Sequence, residues 1–273
     1  TPYGDLRERI VTTVDDTWRQ VEHPAKSAED LKALQWLLAH SEYRFDEDAF
    51  DQGDAYIGDR GVPQFYLPKS PYQALLQVWM TLEDVVYARE DDPAAFAATL
   101  EAIDKTYDRL YEQLAACPKL QILNLGENVH EQLISPPIFE EIYIPWYRRR
   151  MGQLRSAGIF MHIHIDGFFR NLLPYLADLP FDGLEALTPT PQGDVSLDEM
   201  TDAIGEKVLL DGIPAILFME TYPEETVIAC AEELVSRVGK RLVLGVSDEL
   251  PEGCGEQGIE RLRKLAYWCR AQP

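Results

Sequence analysis

The chain has 273 residues, of which 25 are Lys or Arg and 47 are Asp or Glu, so its formal net charge is −22 at pH 7. Its hydrophobic content of 46% and its aromatic content of 10% suffice to bury a large core, which excludes a disordered chain. Because a strongly acidic surface repels phosphate backbones, we expect no nucleic-acid partner.

The first part of the sequence has mainly helical periodicity, and we expect a helical N-terminal portion over about residues 1–60. Leu31, Leu34 and Leu38 recur there at helical spacing. A longer pattern predicts one helix over residues 93–114, with Pro93 at its start, where proline is well tolerated.

From about residue 120 the pattern changes to short apolar runs that alternate with amphipathic helices. We predict strands over 120–125, 158–165, 183–187, 207–213 and 241–246, and helices over 137–156, 168–176, 197–204, 224–238 and 258–269. An earlier strand over 62–67 and helix over 70–80 make about six β-α units. Such alternation is typical of a parallel sheet covered by helices, and both a closed (β/α)₈ barrel and an open sheet fit it.

Several absences narrow the functional class. None of the predicted strands leads into a G-x-G-x-x-G turn, and no G-x-x-x-x-G-K-[ST] is present, so dinucleotide-binding and P-loop folds are disfavoured. Without an evident linker, we treat residues 1–273 as a single domain.

The cellular setting is predicted from three weak signals. The four cysteines (Cys117, Cys230, Cys254 and Cys269) are widely spaced, which does not indicate a disulfide scaffold. No secretory signal is visible over residues 1–7, and the apolar run over 213–219 is too short to span a bilayer. We therefore expect a cytoplasmic protein with no membrane partner.

Polar side chains follow five successive predicted strands. These strand ends are Gly126-Glu127-Asn128-Val129-His130, His164-Ile165-Asp166-Gly167, Thr188-Pro189 after a strand that carries Glu185, Asp211-Gly212, and Gly245-Val246-Ser247-Asp248. The working residues of parallel α/β folds lie at the carboxyl ends of strands. This convergence therefore predicts one catalytic or binding mouth for a small-molecule substrate.

His162 and His164 lie two apart on a predicted strand, so their imidazoles face the same side. Two imidazoles with a nearby carboxylate can bind a divalent metal, and Asp166 and Asp248 are candidates for the third ligand. One buried structural histidine beside one site histidine is the alternative. Glu127 and His130 could divide base and acid roles, or could anchor their loop.

Four segments carry a family resemblance: Ile134-Ser135-Pro136 with Phe139 and Pro145-Trp146-Tyr147, the strand over 158–167, Asp182-Gly183-Leu184-Glu185, and the stretch over 244–251. Thr1-Pro2-Tyr3-Gly4 and Glu29-Asp30-Leu31-Lys32 add to it. The chain resembles the uroporphyrinogen decarboxylase superfamily, which also contains the cobalamin-dependent methyltransferases. The resemblance implies a (β/α)₈ barrel. We count about six strands, so either the chain lacks the N-terminal part of that fold or the pattern missed some.

The sequence departs from the subfamilies in its site residues. Corrinoid methyltransferases that activate a thiol hold zinc with one His and two Cys. His164 matches the His, whereas Asp166 stands at the first Cys position and Ser247 or Asp248 at the second. These residues fit a harder metal with nitrogen and oxygen ligands, or no metal. The decarboxylase's arginine-rich segment and its Gly-His-Gly are absent, and an acidic mouth repels an octa-anionic porphyrinogen.

The leading hypothesis is a corrinoid-linked, methyltransferase-like enzyme that acts on a small methylated substrate. Its methyl carrier would be a corrinoid, held by a corrinoid protein, and a divalent metal such as zinc is a candidate cofactor. A uroporphyrinogen decarboxylase-type lyase and a non-catalytic corrinoid- or ligand-binding barrel stay open. We predict catalytic roles for Glu127, His130, His164, Asp166 and Asp248, substrate binding by Asn128, Glu185 and Ser247, and metal binding by His162, His164 and Asp166.

Overall fold

The computed structural model describes residues 1–14 and 16–272 and divides the chain into two compact units. The first unit contains Thr1–Ile122 and Gly152–Ile159, and the second contains Leu123–Met151 and the chain from Phe160 onward. That residues 1–273 form a single domain stays a prediction.

The first unit is mainly helical. Its elements are β1 (Arg9–Thr12), β2 (Trp18–Glu22), α1 (Leu31–Ala39), α2 (Glu47–Ile57), β3 (Tyr66–Leu67), α3 (Pro71–Ala74), α4 (Leu82–Asp91), α5 (Pro93–Thr106) and α6 (Asp108–Ala116). Its core forms where α5 packs against α1, α3 and α4. The buried faces of α1 and α5 carry the leucines, phenylalanine and isoleucine that recur at helical spacing.

Two expectations for this unit need correction. The portion over residues 1–60 is not wholly helical, because β1 and β2 pair as an antiparallel hairpin. The pattern missed it because Ile10, Trp18 and Val21 are exposed rather than set in a half-buried alternation. The helix predicted over 93–114 is divided near Tyr107, where the Thr106 hydroxyl donates to Ile103 O at 2.6 Å and competes with the backbone ladder.

The second unit contains the alternating strands and helices. The elements that lie wholly or mostly in it are β4 (Ile122–Leu125), α7 (Pro136–Ile138), α8 (Ile144–Ser156), β5 (Phe160–His164), β6 (Gly183–Glu185), α9 (Leu197–Ala203), β7 (Val208–Ile213), α10 (Glu225–Val238), β8 (Leu242–Val246) and α11 (Gly255–Arg270). These strands neighbour one another in chain order, β4-β5-β6-β7-β8, and the pairs from β5 to β8 are parallel. The predicted α/β class with a parallel sheet is therefore confirmed, whereas closure into an eight-stranded barrel stays a prediction.

The carboxyl ends of the strands are level with one another. Pairing extends one step beyond three strands, since Ile165 N donates to Glu185 O at 3.0 Å, Ala186 N to Leu210 O at 3.3 Å, and Ser247 N to Ile213 O at 2.8 Å. The residues that follow these strands therefore meet at one edge, where parallel α/β folds carry their sites. Among the helices of the described chain, none has the combined length and apolarity needed to cross a bilayer.

Candidate metal and active site

The strand β5 brings a histidine and an aspartate to the site. Met161 and Ile163 are fully buried on one side of β5, so the period of two places His162, His164 and Asp166 on the other. Gly167 then turns the chain with a φ of +80°, a conformation that suits glycine. The spacing H-x-D is thus a direct consequence of strand geometry.

Asp248 reaches the site from the end of β8. The preceding residue, Ser247, is fully buried, and its hydroxyl donates to Ala186 O at 3.0 Å. This bond ties the end of β8 to the end of β6, and Asp248 follows with a φ of +68°. Ser247 therefore joins two strand ends, and the substrate contact that the sequence predicts for it stays a prediction.

Three side chains converge on one point. One ligand atom each from His164, Asp166 and Asp248 lies within 4.8 Å of the other two. This set differs from the predicted one, because Asp248 takes the place of His162. The Nδ1 atom of His162 lies 4.0 Å from Glu185 Oε2, and burial lowers the pKa of this imidazole although Glu185 opposes the shift.

Glu185 organises the buried side of this cluster. Its Oε2 atom lies 3.2 Å from His164 Nδ1 and also accepts a hydrogen bond from Asn124 Nδ2. Burial by itself would raise the pKa of Glu185, but the bonds from His164 and Asn124 outweigh it and lower the pKa. Burial would likewise lower the pKa of His164, yet Glu185, Asp248 and Asp166 together raise it. Each of these two side chains therefore stabilises the charged form of the other.

Asp211, inside β7, adds a further carboxylate. Burial, with help from the charges of Glu185 and Asp248, raises its pKa to about 6. Its φ is +72°, and Gly245 on β8 leaves the space for it, since a Cβ there would lie 2.3 Å from Asp211 Oδ1. The sequence marks Asp211 as a strand-end polar residue but does not single it out as a site residue.

Glu127 is bound to the helix layer that covers the sheet. It is fully buried, and its Oε2 atom accepts a hydrogen bond of 2.7 Å from Tyr147 Oη on α8. Burial and the adjacent carboxylate hold the pKa of Tyr147 well above its ordinary value, so the phenol keeps its proton. Glu127 therefore links the loop after β4 to the helix layer, and its catalytic role stays a prediction.

His130 and Asn128 border the site without joining the ligand set. The Nδ1 atom of His130 accepts from Gln132 N at 3.1 Å, and its ring lies 5.4 Å from that of Phe168. A Cβ on Gly167 would lie 2.2 Å from this imidazole, so His130 packs on the turn after Asp166. The exposed Asn128 donates its backbone N–H to His164 O at 3.2 Å, which holds its loop against β5.

Two residues of the cluster have weak signals in the sequence. Asn124 is a polar residue inside the buried strand Ile122–Leu125, which is uncommon enough to mark it. Asp211 sits before a glycine within a strand. Neither signal tells which distant carboxylate or imidazole each residue will meet, because strand periodicity gives the face and not the neighbour.

The fold is similar to that of a known enzyme. A search of solved structures finds a methyltransferase from Methanosarcina mazei, with a TM-score of 0.63 and 13% sequence identity, over 97% of this chain and 77% of that one. At this identity the likeness shows a shared fold and nothing further. No family model matches the sequence. No curated protein matches it either.

Proposed function

We propose that the chain is a metal-dependent, methyltransferase-like enzyme of the uroporphyrinogen decarboxylase superfamily. The observation that supports this most is the convergence of His164, Asp166 and Asp248 within 4.8 Å at the carboxyl ends of β5 and β8. The fold shared with a methyltransferase and the family resemblance of the strand-end segments agree with it.

The donor set fits a divalent cation. One imidazole nitrogen and two carboxylate oxygens suit Zn²⁺, Mn²⁺ or Fe²⁺ better than a soft, thiolate-seeking ion. Three protein ligands leave positions for a substrate or water, as in catalytic rather than structural sites. When bound, such an ion would supply Lewis-acid polarisation of the heteroatom that carries the methyl group.

A residue beside the cluster can supply the proton that the leaving heteroatom needs. Asp211 has a pKa of about 6 without a metal ion, so part of the metal-free molecules hold its proton near neutral pH. It can give that proton to the heteroatom as the bond to the methyl group breaks. The methyl acceptor in this proposal is a corrinoid, carried by a partner corrinoid protein, and the substrate is a small methylated molecule.

The charge of the site weighs against the lyase alternative. Glu185, Asp211, Asp166 and Asp248 surround one imidazole, so the site carries an excess of negative charge. A substrate with many carboxylates would be repelled by these groups. A methyl donor that is neutral or cationic is not repelled in this way.

Metal content tests the site. Purified protein is dialysed against Zn²⁺, Mn²⁺ or Fe²⁺ and analysed by mass spectrometry for metal per chain. We expect about one ion per chain in the wild type and little or no metal in His164→Ala, which lacks one of the three ligands. His40→Gln is the control, because His40 Nδ1 contacts Trp36 O on an exposed helix end. An unchanged metal content in His164→Ala would refute the site.

Methyl transfer tests the reaction. Reduced cobalamin is mixed with the metal-loaded protein and a panel of methyl ethers, thioethers and methylamines, and methylcobalamin formation is followed by absorbance. We expect turnover with one class, lost in Asp166→Asn and kept in His40→Gln. Metal and cobalamin binding without turnover would favour the non-catalytic binding barrel, and carbon dioxide release from uroporphyrinogen would favour the lyase.

A further inference from the structure

One oxygen of Glu185 serves two buried neighbours. Glu185 Oε2 lies 3.2 Å from His164 Nδ1 and accepts from Asn124 Nδ2. The three residues come from three successive strands, because Asn124 is on β4, His164 on β5 and Glu185 on β6. His164 and Glu185 are direct partners in the parallel register, so their side chains are neighbours on one face.

This group is held rigidly. Asn124 is 1% exposed, and the side chains of His164 and Glu185 are 6% and 12% exposed. A buried carboxylate that receives two hydrogen bonds is restricted in its rotamer, and it restricts in turn the ring that it contacts. A rotation of the His164 ring that moves its Nδ1 atom away from Glu185 therefore breaks this contact.

We propose that Glu185 and Asn124 are positioning residues that commit His164 to bind a metal through Nε2. The inference rests on the proposed function and names the residues that support its site. Glu185 accepts the Nδ1 proton of His164, and the lone pair of the neutral ring is then on Nε2. Metal-bound histidines generally donate their second ring N–H to a carboxylate or a carbonyl, which fixes the tautomer and increases ligand basicity.

This role differs from the substrate contact that the sequence predicted for Glu185. A substrate-binding carboxylate presents its oxygens to the cavity, whereas Oε2 of Glu185 is engaged by Asn124 and His164. The role also differs from direct ligation, since the three converging donors are His164, Asp166 and Asp248. Loss of a ligand abolishes binding, while loss of a positioning residue weakens it by about 10–100-fold.

The tautomer of His164 tests the proposal without any metal. Protein labelled with ¹⁵N-histidine is studied by NMR at a pH above the pKa of His164, and its signals are identified by their loss in His164→Gln. We expect the Nδ1–H tautomer in the wild type and a return toward the Nε2–H tautomer, which free histidine prefers, in Glu185→Ala. Glu185→Gln, whose amide oxygen can still accept, should keep the wild-type tautomer. An Nε2–H tautomer in the wild type would overturn the proposal.

Metal affinity provides the second measurement. Co²⁺ is titrated into wild type, Glu185→Ala and Asn124→Ala, with absorbance in the visible region as the readout. We expect affinity to fall 10–100-fold in Glu185→Ala and less in Asn124→Ala. The control is Glu131→Gln, because Glu131 also accepts hydrogen bonds, but from the exposed Asn171 and not from a residue of the cluster. A thermal melt confirms that each variant folds.

The two measurements separate the possible failures. If the wild type binds no Co²⁺ but has the Nδ1–H tautomer, the proposed function fails and the positioning of His164 stands. If the wild type binds Co²⁺ and Glu185→Ala binds it equally well, the positioning proposal fails and the metal site stands.

Discussion

At the scale of single residues, the mouth of the second unit is marked by unusual backbone angles. Five described residues other than glycine have positive φ, and four of them lie in or after a strand of the parallel sheet: Asn128, Ala186, Asp211 and Asp248. Left-handed backbone is costly for residues with a side chain, and such strain concentrates at functional sites. A residue with positive φ directs its side chain differently from a residue in a regular strand. Side chains from separate strands can therefore meet at the strand ends.

The raised pKa of Asp211 makes it possible to measure how far one site residue lowers the free energy of unfolding. Its pKa is about 6 in the folded chain against an ordinary 3.8, so the folded state binds the proton more tightly than the unfolded state. This group therefore favours folding most at low pH, and that contribution is lost as pH rises from about 4 to 6. We expect Asp211→Asn to raise the free energy of unfolding by about 1–3 kcal/mol at pH 7.5 and by much less at pH 4.

Urea unfolding in EDTA at the two pH values measures this difference. Asp202→Asn is the control, since Asp202 is an exposed residue of α9. An equal gain at both pH values would show that the backbone preference of asparagine, rather than the charge, causes the effect.

The close contact between Gly245 and Asp211 leads to a separate prediction. A Cβ at this position would lie 2.3 Å from Asp211 Oδ1 and 3.5 Å from Asp211 Cα, so the carboxylate must move. We expect Gly245→Ala to lower the free energy of unfolding by about 1–3 kcal/mol, as overpacking typically does. Combining it with Asp211→Gly removes the clash and suits the positive φ. The double variant should therefore lose less stability than the sum of the single changes, and strict additivity would contradict the contact.

At the scale of elements, the sequence predicts the strands that have a local apolar pattern, but not the contacts that depend on how distant strands pair. The strands predicted at 158–165 and 207–213 contain β5 and β7, because a short apolar run between amphipathic helices is typical of a buried parallel strand. The hairpin of β1 and β2 lacks that pattern. In the site, the period of two on β5 predicts that His164 and Asp166 share a face, whereas the partnership of Asn124 with Glu185, 61 residues apart, depends on register.

The last helix shows how a buried cation fixes an element. Arg261 on α11 is 6% exposed, and its guanidinium donates to Leu217 O at 2.7 Å, Met219 O at 2.9 Å and Tyr222 O at 2.9 Å. These bonds join α11 to the turn after β7. We expect Arg261→Met to lower the free energy of unfolding by about 2–4 kcal/mol, because buried carbonyls lose their donors. Arg263→Met is the control, since Arg263 is exposed and pairs only loosely with Glu260 at 3.4 Å. Equal melting temperatures for the two variants would contradict this role.

At the scale of the whole molecule, charge is the dominant feature. There are 47 acidic and 25 basic residues, so most of the surface carries like charge. Several exposed ion pairs oppose the repulsion, such as Arg170 with Glu199 at 2.6 Å and Lys119 with Asp51 at 2.8 Å. Exposed pairs of this kind contribute little each, in the range of about 0–1 kcal/mol. The surface charges therefore lower the stability of the fold on balance, because acidic residues outnumber basic ones.

Salt dependence follows from this balance. Salt screens attraction and repulsion alike, and the Debye length falls from about 30 Å at 0.01 M to about 3 Å at 1 M. Because the repulsive pairs outnumber the attractive ones, we expect the melting temperature in EDTA to rise by roughly 2–6 °C between 0.01 and 0.5 M NaCl. Choline chloride should have the same effect, because screening does not depend on the cation. A rise with NaCl alone would indicate specific Na⁺ binding, and a fall with both salts would show that the exposed ion pairs outweigh the repulsion.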